Sequence, residues 1–270
     1  MKKMVYAFFI LMLSFHLIFS VQMLEPYFRN LRHGDVINIG EMGPGQTIAI
    51  SVKPEVSVGG KFGQGGVYDQ LIITDAPPQW KFKNSKLTSS PLQAEFSAPP
   101  DAQEGEYDVK LRILDEENRE ELGFLDFTVK VVIKKDLLSM DITPTTKQTN
   151  AGQPAKFSIT LTNKGNANDV FELRSEGFRE WKFKKELFLP AKTSKTISYE
   201  VVGNEEGNYK VDIIAVSKSS HAVSDKKTVT VLIHTNLLSD YKAINNGVLI
   251  FPLFESPVYA LAGLISNLVG

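Results

Sequence analysis

Several stretches of this chain hold residue types that could do chemistry. Gly59, Gly60, Gly63, Gly65 and Gly66 cluster within residues 59–66, where side-chain-free backbone could turn its N–H groups toward an anion. A phosphate loop ends in Gly-Lys-Ser/Thr and enters a helix, whereas here Gly60-Lys61 is followed by Phe62 and strand-like sequence flanks both sides, which predicts a hairpin tip. Residues 115–121 gather Asp115, Glu116, Glu117, Glu120 and Glu121, carboxylates suited to calcium or acid–base work. They lack the Asp-x-Asp-x-Asp-Gly spacing that wraps an ion and are read as a solvated turn. The oxygen-rich run from 163 to 169 is likewise read as a turn. His33, His221 and His234 lie far apart in sequence and are read as surface or loop residues. Phe62 and Tyr68 are the aromatics best placed to stack on a sugar. No nucleophile elbow or paired carboxylates stand out, so no catalytic, cofactor-binding or metal-binding residue is assigned, and the chain is read as not an enzyme.

Composition narrows the classes further. With 30 Lys+Arg against 31 Asp+Glu, a net charge of −1 and no basic excess, the chain is not expected to bind nucleic acid. It contains no cysteine, which excludes disulfides, thiolate metal sites and a lipid-modified cysteine. At 43% hydrophobic and 23% charged residues, its 270 residues have an ordinary globular composition and suggest one large or two modest domains.

The elements that would position any site come from an internal repeat. Trp80-Lys81-Phe82-Lys83 returns as Trp181-Lys182-Phe183-Lys184 about a hundred residues later. Glu104-Gly105-Glu106-Tyr107-Asp108-Val109 is matched by Glu206-Gly207-Asn208-Tyr209-Lys210-Val211, and Thr128-Val129-Lys130-Val131-Val132-Ile133 by Thr228-Val229-Thr230-Val231-Leu232-Ile233. Gly45-Gln46 corresponds to Gly152-Gln153, and the glycine stretch 59–66 is extra to the first copy. Within each copy, apolar residues alternate at period two, as in Ile48/Ile50/Val52 and Phe157/Ile159/Leu161, with turn residues between the runs and no sustained helical period from 35 to 233. This predicts an all-β chain of two tandem immunoglobulin-like sandwiches. Both aromatics of each Trp-Lys-Phe-Lys motif are expected on the inner face of a strand.

The segment 150–169, with Gly152-Gln153-Pro154 before a strand and Thr162-Asn163-Lys164-Gly165-Asn166 after it, resembles the opening of Ig-like modules appended to alpha-galactosidases and to archaeal and bacterial surface proteins. It is similar also to the cell-adhesion-related CARDB type. The resemblance covers 136–234 and, more loosely, 35–133, whose first copy has the glycine loop and lacks the Asn-Lys-Gly-Asn turn. It implies a sandwich acting as a spacer or binding module and carries over no catalytic residue.

The ends read differently. Lys2 and Lys3 precede an apolar run from Met4 to Leu24, the pattern of an export signal or a retained membrane-anchor helix. From Gly247 to Gly270 only Glu255 is charged, and Pro252 and Pro257 precede a stretch that fits a short apolar helix. That helix could enter a membrane, dock on the second sandwich or contact another chain. The expected plan is 1–24 signal or anchor, 25–134 first Ig-like domain, 135–235 second Ig-like domain, and 236–270 connector and apolar segment. The expected function is a non-catalytic exported, cell-surface or membrane-tethered protein for adhesion, scaffolding or envelope complex assembly, with the membrane contacted through the N-terminal and possibly the C-terminal segment and the protein partner unidentified. The alternative is a carbohydrate-binding or accessory domain of a cell-envelope enzyme complex.

Overall fold

The computed structural model describes residues 21–235, apart from 118 and 120. Residues 1–20 of the expected signal or anchor segment and the C-terminal apolar segment, with the helices expected in them, lie outside the described residues. The first half runs β1 (Val21–Glu25), β2 (Arg29–Leu31), β3 (Asp35–Met42), β4 (Thr47–Val52), a small hairpin of β5 (Glu55–Val56) and β6 (Gly66–Val67), β7 (Gln70–Asp75), β8 (Lys81–Lys83), β9 (Leu92–Ser97), β10 (Gly105–Leu114) and β11 (Phe124–Ile133). The second runs β12 (Leu138–Thr143), β13 (Thr146–Asn150), β14 (Pro154–Asn163), β15 (Asp169–Glu176), β16 (Lys184–Leu189), β17 (Ser194–Val202), β18 (Gly207–Ser217) and β19 (Ser224–His234). A single 3-10 turn, Arg179–Trp181, is the only helical element among the described residues.

Each half is a two-sheet sandwich. In the first, β2-β1-β4-β9-β8 faces β3-β11-β10-β7; in the second, β12-β14-β17 faces β13-β19-β18-β15-β16. Alternation builds both cores. Ile48, Ile50, Phe96, Leu111, Phe127 and Val129 point into the first, while Phe157, Ile159, Leu161, Phe171, Ile213 and Val231 fill the second. Each such side chain contributes about 1.5–3 kcal/mol when fully buried. The last strand of each sandwich pairs in parallel with an early strand, β11 with β3 and β19 with β13, so the two copies share a handed plan.

The copies agree in detail at the aromatic corner. Trp80 N–H bonds Pro77 O and Trp181 N–H bonds Phe178 O, both at 3.2 Å, closing equivalent turns. Trp80 packs 5.5 Å from Tyr107, and Trp181 packs 5.2 Å from Tyr209. Each tyrosine hydroxyl bonds a carbonyl four residues upstream, Tyr107 to Gln103 O at 3.0 Å and Tyr209 to Glu205 O at 3.1 Å, as in the tyrosine corner of immunoglobulin-like sandwiches.

Three sequence expectations are corrected. The first strand begins at Val21, not after residue 24: Val21 and Met23 are buried against the first core, so the tail of the apolar run belongs to the sandwich. Both tryptophans sit in turns rather than in strands, because each must close its turn before the chain straightens. Phe82 shares a face with buried Phe96 by register, yet it is 52% exposed because β8 is the edge strand of its sheet among the described residues. The repeat also breaks at one element. The strand after Trp80 joins β9, whereas the strand after Trp181 crosses to the other sheet and joins β15.

Candidate functional site

The residues singled out for chemistry are dispersed. The glycine run forms the loop of the β5–β6 hairpin, with positive φ at Gly59, Gly60, Gly63 and Gly65. At Gly65 a Cβ would stand 1.9 Å from Val56 O, so only glycine lets the two arms approach. Phe62 at its tip is 81% exposed, and Lys61 reaches Glu121 at 3.3 Å. Tyr68, the second candidate for sugar stacking, is in the core, and its hydroxyl pKa is raised by burial and then by Asp115. That removes half of the proposed aromatic platform. In the acidic turn Asp115 accepts from Arg119 N at 3.3 Å and Leu122 N at 3.4 Å, organising the tip. His33 Nδ1 accepts from Asp126 N, His234 closes β19 and His221 lies in a turn. Among the described residues no three His, Asp or Glu side chains are placed to hold a metal ion.

What the fold brings together is a buried polar joint between the sandwiches. Two turns of the second domain, 163–168 and 218–223, meet the turn 43–46 and Pro99-Pro100 of the first. At the centre lies Asp169, 4% exposed, with both oxygens occupied. Oδ2 accepts from Gln46 Nε2 at 2.8 Å and from Ser217 Oγ at 2.6 Å. Oδ1 accepts from Ser219 Oγ and from Val170 N, both at 2.8 Å. A carboxylate this far from water is tolerable only when such donors replace its hydration.

The turns themselves are fastened. Asn163 is fully buried; its Nδ2 donates to Ala167 O at 2.9 Å and to Leu189 O and Pro190 O at 3.2 Å, and its Oδ1 accepts from Gly165 N at 3.0 Å. This folds the Asn-Lys-Gly-Asn turn so that Asn166 N–H meets Glu41 O at 2.6 Å and Ala167 enters the first domain's core cluster. Gln46 Oε1 accepts from Gly43 N at 2.7 Å, and Ser220 Oγ donates to Pro100 O at 2.7 Å. Gly45, at φ +71, lies so close that a Cβ would stand 2.0 Å from Ser219 O. The linker is held too, with Lys134 N bonded to Met42 O at 3.0 Å and Lys135 N to Glu104 Oε1 at 2.9 Å. A shallow cleft of about 220 Å³, lined in part by Thr47, Ala49, Asn166 and Asn168, runs beside the joint. Both serine hydroxyls donate to Asp169, so this constellation fixes geometry; Ser217 is 1% exposed and out of a substrate's reach.

Sequence reading marked Gly45-Gln46 and the 163–169 turn as repeat and turn features, but not as two halves of one contact. Ser217, Ser219 and Ser220 went unnoticed. An aspartate opening a strand and a serine cluster ending another were the available signals.

Surface electrostatics adds an acid-sensitive layer. Arg112 holds Asp126 through Nε at 2.6 Å and Nη2 at 2.9 Å, beneath the Phe124 ring at 4.3 Å. That hydrogen bond lowers the Asp126 carboxyl pKa, as Lys184 does for Glu172 and Lys226 with Thr228 do for Asp212. Depressed folded-state values give stability that is full above the unfolded pKa of about 4 and lost as pH falls through the lower folded values. Asp126→Asn is therefore expected to flatten the fall in stability between about pH 5 and pH 2, measured by urea melts across that range. An unchanged slope would assign the acid sensitivity elsewhere.

No family model matches the chain, and no curated protein sequence matches it. Among solved structures it is similar to the fibronectin(III)-like modules of Clostridium thermocellum CbhA, at 14% identity over 80% of this chain and 94% of that one, with a TM-score of 0.27. A CARDB domain from Pyrococcus furiosus, in complex with di-metal ions, matches at 15% identity over 35% of this chain and 87% of that one, TM-score 0.28. The PKD domain of an M14-like peptidase from a Thermoplasmatales archaeon matches at 16% identity over 36% of this chain and 93% of that one, TM-score 0.25. The Ig-like assignment rests on the strand pairing and the aromatic corner described above.

Proposed function

We propose that this chain is a non-catalytic, extracytoplasmic module in which two Ig-like sandwiches are locked into one stiff spacer for adhesion, scaffolding or envelope complex assembly. The observation that carries the reading is the joint. Domains that move freely share wet, weakly bonded interfaces, whereas here a buried aspartate is bonded from both sides and a first-domain core includes a second-domain alanine. Export is supported by Lys2, Lys3 and the apolar run, whose last residues β1 takes up from Val21 onward. Among the described residues no helix is long and apolar enough to cross a membrane, and the segments on which tethering would depend lie outside them.

The test is the distribution of interdomain distances. The chain has no cysteine, so spin labels at Glu106→Cys and Lys185→Cys, both exposed, report on the two sandwiches without background. A single narrow distance is expected. Gly45→Ala, which forces a methyl against Ser219 O, should broaden it. A broad distribution in the parent chain would make the joint a hinge and end the spacer reading.

A further inference from the structure

The joint caps only one end of the first sandwich. From that end β4 runs outward, from Thr47 beside the Gly45-Gln46 turn to Val52 at the far pole. β1 lies antiparallel to it, with Glu25 opposite Ser51 and Met23 opposite Val52. The chain therefore enters the fold at the pole opposite the joint. There Val21 is 1% exposed and pairs with Leu31, and Lys53 N donates to Gln22 O at 2.8 Å. In sequence the apolar run that follows Lys2 and Lys3 passes directly into this strand, which leaves no linker between the run and the core.

Three loops gather at the same pole. Asp69 ties the 84–91 loop to the 115–123 turn: its carbonyl accepts from Thr88 N at 2.9 Å and its Oδ2 from Glu117 N at 3.1 Å. The Lys61–Glu121 pair ties the glycine hairpin to that turn. Two large apolar side chains stand out from these loops, Phe62 at 81% exposure and Leu87 at 54%. Gly63 N closes a tight turn on Gly60 O at 3.2 Å, which sets Lys61 and Phe62 at its outer corners. The exposed charges around them have both signs, with Arg32, Lys53 and Lys86 set against Glu55, Glu116 and Glu117. Such a mixture gives an anionic surface no net hold and leaves a zwitterionic one accessible.

We infer that the free pole of the first sandwich rests on the lipid surface into which the apolar run inserts, with Phe62 and Leu87 entering the interface. The inference rests on the export reading, with residues 1–20 kept as an anchor. A core strand that starts where the run ends has no length of chain with which to stand away from the bilayer. Large apolar side chains at that depth exchange water for the boundary between headgroups and acyl chains. The sandwich then stands end-on, and its joint holds the second domain out from the surface.

The experiment places the full chain in phosphatidylcholine vesicles and follows it by flotation. Because the chain has no cysteine, Phe62→Cys, Leu87→Cys and Lys185→Cys each carry one spin label without background. Collision with lipid-soluble oxygen and with a water-soluble nickel chelate then reports where each label lies. Labels at 62 and 87 are expected to meet oxygen and to be shielded from nickel about fivefold relative to the label at 185. Phe62→Asp should restore nickel access to the label at 87; its exposed site keeps the fold out of the comparison. A floating chain whose labels at 62 and 87 meet nickel as freely as the one at 185 overturns the inference and leaves the anchor standing. Labels shielded from both reagents would mark a protein contact and overturn it as well. A chain that stays in the aqueous fraction ends the anchor reading, and the inference with it.

Discussion

Trp181→Ala is expected to destabilise the second sandwich by about 3–5 kcal/mol, the range for large aromatic truncations in cores. The ring is 5% exposed and packs 4.7 Å from Phe178 and 5.2 Å from Tyr209. Its indole N–H holds Val202 O, while its own carbonyl accepts from Ser175 Oγ and Tyr199 Oη, both at 2.8 Å. Truncation empties a cavity and leaves Val202 O without its donor. Urea melts followed by circular dichroism provide the measurement. A loss below about 1 kcal/mol would mean that the corner collapses around the gap and that the ring is dispensable to the fold.

Asp169→Ala should be comparably severe and should act on two domains at once. It strands Gln46 Nε2 and the Ser217 hydroxyl in a dry site, each unsatisfied group costing about 1–3 kcal/mol, and withdraws the bond joining the sandwiches. The two tryptophans lie one in each core, so fluorescence of Trp80→Phe and Trp181→Phe backgrounds follows each domain separately. In the parent chain the two transitions are expected to coincide; with Asp169→Ala they should come apart, the second domain melting first. Transitions that stay superimposed would show that Asp169 does not couple the domains.

The strands, the paired corners and the turn at Gly45-Gln46 were legible because each is written locally: alternation at period two, a tyrosine after Glu-Gly, a glycine where φ must be positive. The start of β1 was hidden because Val21, Gln22 and Met23 alternate within the end of the apolar run, and the two hydrophobic signals merge. The joint was illegible for a different reason. Asp169 draws its donors from residues separated from it by 123, 48 and 50 positions, and nothing local distinguishes a serine that will find a carboxylate from one that will find water. The crossing of β16 was equally invisible, since Lys182-Phe183-Lys184 repeats Lys81-Phe82-Lys83 residue for residue and the choice of sheet is made by neighbours outside the motif.

Ala167 has a consequence for the order in which the chain can mature. It belongs to the second domain's sequence but closes the first domain's core, beside the Asn163 turn that puts it there. Synthesis proceeds from the N-terminus, so a nascent first sandwich emerges with that position vacant and its Gln46 amide unmatched. It reaches its final packing only after the strands flanking Ala167 have been made and paired. Until then the earlier half of the molecule is the unfinished one, lacking the Ala167 contact that completes its core.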